Sequence, residues 1–140
     1  MTFKTTTQVR FAHIDAAGIV FYPRYFEMLN AAVEDWFAQQ VGCDFRSMHR
    51  DRGIGVPTVT LEAEFLAPSF LGDVLTVRID PVAIGRSSCT YEAVFSGEGT
   101  DRMKVVGKLV CMDLAAHKSV PWPDDIRERI SPDPVCALGL

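Results

Sequence analysis

Between residues 22 and 41 the sequence commits to a helix that water cannot surround. Tyr25, Met28, Leu29, Ala32, Trp36 and Val41 recur at helical spacing, and Phe26, Val33 and Phe37 widen their stripe. Arg24, Glu27, Glu34 and Asp35 lie on the opposite side, and the stripe is wide enough that the helix must be largely enclosed. Pro23 suits the first turn, where its missing N–H would have been unpaired anyway, and Gly42 suits the stop. Beyond Pro57 a second helix of this kind is ruled out, because the period changes to two. Val59, Leu61, Ala63 and Phe65 alternate with Thr58, Thr60, Glu62 and Glu64, which predicts a strand with one buried face. Further strands are predicted over residues 74–82, 87–96 and 103–114, joined locally through Leu71-Gly72-Asp73 and Gly97-Glu98-Gly99-Thr100-Asp101. Residues 5–11 read as a first strand, 43–56 as a connection holding a short helical turn, and 124–130 as a final turn. One apolar helix among five strands is covered only if the sheet curves around it. The expected class is therefore α+β, a five-stranded antiparallel sheet wrapped around one long central helix.

Composition narrows the function classes. With 140 residues and 48% of them hydrophobic, the chain can bury one core, expected over residues 1–130 as a single domain with 131–140 as a flexible tail. No apolar run approaches the roughly 18–20 residues of a membrane span, and the N-terminus has no apolar stretch behind Lys4, so neither membrane nor export is expected. A net charge of −4 argues against general nucleic-acid binding, yet leaves room for an anionic small ligand held by a local cationic pocket. Cys43, Cys89, Cys111 and Cys136 are irregularly spaced with no C-x-x-C, so no metal site is expected, and reduced thiols in a cytoplasmic protein are.

The chemistry gathers in Phe11-Ala12-His13-Ile14-Asp15-Ala16-Ala17-Gly18-Ile19-Val20-Phe21-Tyr22-Pro23-Arg24-Tyr25. Asp15 sits in a small-residue loop just ahead of the enclosed helix, whose N-terminus offers unpaired N–H groups and the positive end of its dipole. A carbonyl bound there is polarised, and a carboxylate opposite its carbon can attack or deprotonate a water. These parts suffice for acyl transfer to water. From the residues alone, a second reading stays open, in which Asp15 is a solvated loop residue or a helix cap.

The same run, from Asp15 to Tyr25, resembles the hotdog-fold acyl-CoA thioesterases of the 4-hydroxybenzoyl-CoA thioesterase family. The likeness extends over the enclosed helix, Gly53-Ile54-Gly55-Val56-Pro57 and the strands to about residue 120. It implies a hotdog fold and hydrolysis of an acyl-CoA to a carboxylic acid and free coenzyme A. Asp15 would be nucleophile or general base, and the backbone N–H of Tyr22 the donor to the thioester oxygen, with Gly18 turning the chain between them. It implies coenzyme A contacts at Arg86, Ser87 and Ser88, with Lys118 a further candidate, and no cofactor, since coenzyme A is part of the substrate. It also implies sites between subunits, hence a dimer, and by pairing of dimers a tetramer.

Several positions depart from the family. Pro23 stands where another branch, acting on short aliphatic thioesters, has histidine. The Gly85-Arg86-Ser87-Ser88 turn is less basic than usual. Asn30 and Val56 occupy the places of an acidic residue and a threonine that receive a ring hydroxyl; Asn30 can still hydrogen-bond, Val56 cannot. An aromatic or medium-sized acyl group is the expectation, with Tyr25 and neighbouring rings as its wall. Two other readings are carried: a hydratase or dehydratase using His13, and a non-catalytic acyl-CoA-binding domain. Glu27, Glu34 and Asp35 compete with Asp15 from the helix, although their polar side predicts a solvated face.

Overall fold

The computed structural model describes residues 2–132. The tail expected over 131–140 therefore falls almost wholly outside the described residues, as does Cys136. In chain order the elements are β1 (Phe3–Gln8), α1 (Pro23–Trp36), α2 (Phe45–Asp51), β2 (Ile54–Gly55), β3 (Thr58–Phe65), β4 (Val74–Ile84), β5 (Ser88–Gly97), β6 (Thr100–Val110), β7 (Met112–Asp113), β8 (Lys118–Ser119) and α3 (Asp124–Ile130). Five of the strands form one antiparallel sheet in the order β1-β4-β5-β6-β3, and β2-β7-β8 form a small second one. This is the α+β arrangement of one helix held in a curved five-stranded sheet.

The enclosed stripe behaves as its spacing requires. Tyr25, Met28, Leu29, Ala32, Val33 and Trp36 of α1 are buried, and a π-type turn over Phe37–Val41 carries the helix to Gly42. Opposite them stand alternate residues of three strands: Leu75, Val77 and Ile79; Tyr91, Ala93 and Phe95; Met103, Val105 and Leu109. Tyr91 lies across the strand from Gly107, where an added Cβ would come within 2.5 Å of the phenol ring. That close approach explains a glycine in mid-strand. Burial pushes the Tyr91 phenol up to about 12.

Three expectations need correction. The first strand is Phe3–Gln8, and Phe11–His13 is a 3-10 turn instead of its continuation. The chain leaves the sheet at Val9, which exchanges hydrogen bonds with Gly72 and Asp73. Next, the last four long strands are not a local meander. β3 pairs with β6, so residues 66–73 cross the end of the sheet before β4 begins. Finally, the helix-side face of β3 is apolar but not buried: Leu61 is 41% exposed and Phe65 50%. The helix packs mainly over β1 and β4, toward the opposite edge of the sheet, and reaches this edge through Tyr25 and Phe26 against Phe65.

Candidate active site at the helix N-terminus

Asp15 opens a tight hairpin. Its N–H donates to the Ile19 carbonyl (3.0 Å), its carbonyl accepts from the Gly18 N–H (3.0 Å), and Ile14 and Val20 pair across the base. Gly18 closes the turn at φ 80°, the left-handed region that a residue with a Cβ enters only under strain. The Asp15 side chain makes an Asx turn, Oδ1 accepting from the Ala17 N–H at 2.8 Å. Its Oδ2 has no hydrogen-bond partner among the described residues, and the residue is exposed. One oxygen thus orders the loop, as a capping role requires, and the other is left without a partner among the described residues.

The chain then runs into α1. Phe21 N–H donates to the His13 carbonyl (2.9 Å), Arg24 N–H to Phe21 O (2.8 Å) and Tyr25 N–H to Tyr22 O (3.1 Å). Pro23 has no N–H to offer. The Tyr22 N–H finds no acceptor among the described residues, so a donor stands free at the positive end of the helix. His13 is already committed. Its Nδ1 accepts the Arg10 N–H at 2.8 Å.

Beside Tyr22 lies an apolar hollow of about 340 Å³, bordered by Ile19, Val20, Tyr22, Tyr25, Phe65 and Leu66 among others. The Phe65 ring stands 5.9 Å from Tyr25 and 6.0 Å from Tyr22, so aromatic faces line it. Tyr25 contributes ring surface only. It is 4% exposed and its hydroxyl donates to Ser69 Oγ at 2.9 Å. Asn30 and Val56 are brought together, but elsewhere, in a cleft of about 500 Å³ with Glu27, Glu34, Phe45 and Thr58. The acyl-group candidates therefore divide between two depressions at opposite ends of β3. Of the competing helix carboxylates, Glu27 pairs with Arg24 at 2.6 Å and Asp35 accepts from Thr5 on β1. Glu34, at the Asn30 end, has neither kind of partner among the described residues.

The Gly85-Arg86-Ser87-Ser88 turn joins β4 to β5 at the far end of the sheet. Its carbonyls are all taken, by Arg127 on Gly85, Trp122 N–H on Arg86, Cys111 N–H on Ser87, and Gly85 N–H with the Trp122 indole on Ser88. The Arg86 side chain and the Ser87 hydroxyl have no partner among the described residues. Lys118 lies exposed on β8, the strand that leads through Val120 to Trp122. Arg127 escaped the sequence reading, because an arginine in the acidic helix α3 looks like a partner for its own neighbours. Its Nη1 instead donates to Gly85 O at 2.8 Å, adding a second cation to the turn.

A second omission is a buried polar node behind the hollow. Arg102, 6% exposed, donates to Ser69 Oγ (3.2 Å), Pro68 O (3.0 Å), Asp73 Oδ2 (2.9 Å) and Gly97 O (3.1 Å). The Phe70 N–H and then the Arg102 guanidinium hold the Asp73 carboxyl below the usual carboxylate range.

The family model of the thioesterase-like superfamily matches residues 9–130. The chain belongs to that superfamily. A 1,4-dihydroxy-2-naphthoyl-CoA hydrolase of Thermosynechococcus vestitus is 34% identical over 119 residues, covering 84% of this chain and 81% of that protein. A gentisyl-coenzyme A thioesterase superposes with a TM-score of 0.82 at 26% identity, over 92% of this chain and all of the other. A 4-hydroxybenzoyl-CoA thioesterase variant, solved with 4-hydroxybenzoyl-CoA, gives 0.86 at 25% identity over 93% and 99% of the two chains. As a member of the thioesterase-like superfamily the protein is a thioester hydrolase. His13, the histidine that the hydratase reading would use, accepts the Arg10 N–H at Nδ1.

Proposed function

We propose that this thioesterase hydrolyses the coenzyme A thioester of an aromatic acid bearing ring hydroxyls. The observation that carries the reading is the free Tyr22 N–H at the head of α1, preceded by a tied loop whose Asp15 Oδ2 is unpartnered among the described residues. The thioester oxygen accepts from the Tyr22 N–H, and that bond strengthens as the oxygen becomes an anion. Asp15 either attacks the carbonyl carbon or takes a proton from an attacking water. In both routes the acyl C–S bond breaks, and the coenzyme A sulfur leaves as thiolate and is protonated. In the first route a mixed anhydride with Asp15 is then hydrolysed. Arg86, Ser87 and Ser88, with Arg127 on the Gly85 carbonyl and Lys118 on the strand that leads toward Trp122, would hold phosphate oxygens, and no cofactor is required.

Aromatic surface at Tyr22, Tyr25 and Phe65 supports a planar acyl group, and Asn30 with Glu34 supports hydroxyl recognition. The relatives named for dihydroxynaphthoyl- and gentisyl-CoA point the same way. The test is a comparison of kcat/KM for 1,4-dihydroxy-2-naphthoyl-, gentisyl-, benzoyl-, phenylacetyl- and straight-chain acyl-CoAs. Hydroxylated aromatic thioesters are expected to lead by roughly tenfold or more, the worth of one well-placed polar contact. A straight-chain substrate that equals them would sink the assignment.

Completion of the site by a second copy is part of the proposal. β3 is an unpaired edge with apolar side chains exposed, which a soluble protein normally covers. Two copies joined at this edge about a two-fold axis run antiparallel, so the Thr58 end of one strand meets the Phe65 end of the other. The Asn30–Val56 cleft of one subunit then adjoins the Tyr22 hollow of its partner. The outer sheet face mixes Glu62, Glu64 and Glu92 with Arg78 and Lys104, a self-complementary surface for pairing dimers into a tetramer. Buried Cys43, Cys89 and Cys111, all free thiols, support a cytoplasmic setting. Light scattering should give a dimer or tetramer for the wild type. Leu61→Asp, which puts a charge on the edge, should shift it toward monomer and lower activity at least tenfold. A fully active monomer would exclude a shared site.

A further inference from the structure

The crossing segment 66–73 does more than join β3 to β4. Ser69, which is fully buried, accepts the Val20 N–H on its carbonyl at 2.9 Å and the Tyr25 O–H on its hydroxyl at 2.9 Å. Those two partners bracket Tyr22: Val20 ends the Asp15 hairpin, and Tyr25 lies on the first turn of α1. A single residue thus holds the chain on both sides of the free N–H. Ser69 is itself held by Arg102, and a guanidinium can only donate, so the serine oxygen must accept from it. The backbone of Arg102 grips the same segment, its carbonyl accepting from the N–H groups of Leu66 and Ala67.

We propose that Ser69, anchored by Arg102, is a positioning residue that fixes the Tyr22 N–H relative to Asp15, acting through Val20 and Tyr25 without touching substrate. The inference rests on the reading of Tyr22 as the donor to the thioester oxygen. Its physical basis is that an oxyanion contact works only when the donor is already placed, and a displacement near 1 Å costs roughly a hundredfold in rate. The Ser69–Arg102 bonds remove freedom from the loop before substrate arrives. Exposed loops of this type, with Asp15, Ala16 and Ala17 all in solvent, otherwise sample many geometries.

The experiment uses Ser69→Ala, Tyr25→Phe and the double variant, assayed per folded molecule on the best thioester substrate, with Asp15→Asn alongside. Each single change removes the same hydroxyl–hydroxyl bond while leaving the Val20 link intact. The expected result is a kcat lower by about ten- to a hundredfold in either single variant, with KM within about twofold, because the ground-state contacts are kept. The double variant should lose no more than the worse single one, as two halves of one interaction must. A purely structural role would lower Tm and leave kcat of the folded fraction unchanged. If both singles keep kcat within about twofold while Asp15→Asn is inactive, the positioning role is overturned and the acyl-site reading stands. If Asp15→Asn remains active, that reading fails and this proposal with it.

Discussion

Replacing Asp15 by asparagine should lower kcat by about a thousandfold, within the range a positioned acid or base contributes, and leave Tm within a degree or so. The substitution is chosen for what it keeps. An asparagine carbonyl oxygen can still accept the Ala17 N–H that Oδ1 accepts now at 2.8 Å, so the Asx turn and the hairpin survive. What disappears is the charge on the outward oxygen, which is the nucleophile or base in either route. KM should change little, since the aromatic hollow and the Gly85 turn are untouched. Single turnover in oxygen-18 water, with enzyme in excess, then separates the two routes. Direct attack, with water then opening the anhydride at the Asp15 carbonyl, delivers an unlabelled Asp15 oxygen to the first acid released, whereas a water route labels every product molecule. Activity within tenfold of wild type in Asp15→Asn would remove Asp15 from the chemistry altogether.

How much of this was legible in the chain depends on how local each signal is. The enclosed helix and the alternating strands declare themselves within windows of ten to twenty residues, because burial imposes a period on them. Asp15, Gly18 and Tyr22 lie within eight residues, and a short-range bond ties Gly18 to Asp15, so the segment stands out in the sequence too. The exposed apolar edge of β3 was not. Its alternation is that of a buried face, and nothing in a single strand says whether the cover comes from the same chain or another. The Ser69 node was equally hidden. Ser69 looks like a loop residue after Pro68, and Arg102 like a wet position beside Asp101. Their meaning arises only because β3 pairs with β6, which carries residues 66–73 across the sheet end to meet Arg102. Strand order is a long-range property, and local periodicity does not report it.

That node should also dominate stability. Arg102→Met is expected to cost about 3 kcal/mol, the lower end for breaking a buried pair, since Asp73 is only partly buried and keeps its Phe70 N–H. Asp73 would lose its guanidinium at 2.9 Å, and the carbonyls of Pro68 and Gly97 would lose their donors. The pH dependence distinguishes this from simple loss of packing. The Phe70 N–H and Arg102 depress the folded Asp73 carboxyl, so its contribution is complete above the ordinary aspartate value near 4 and is lost as the pH falls through the depressed one. Wild-type stability should therefore drop on acidification below about pH 4, and Arg102→Met should show a shallower drop from a lower start. Adding Asp73→Asn to Arg102→Met should recover part of the loss, because no charge is then stranded, though the two bare carbonyls prevent full recovery. Urea unfolding at about pH 7 and about pH 3 measures the wild type and both variants across that window. A cost under about 1 kcal/mol at neutral pH would mean that the crossing segment is held by its backbone bonds alone, and that Arg102 anchors nothing.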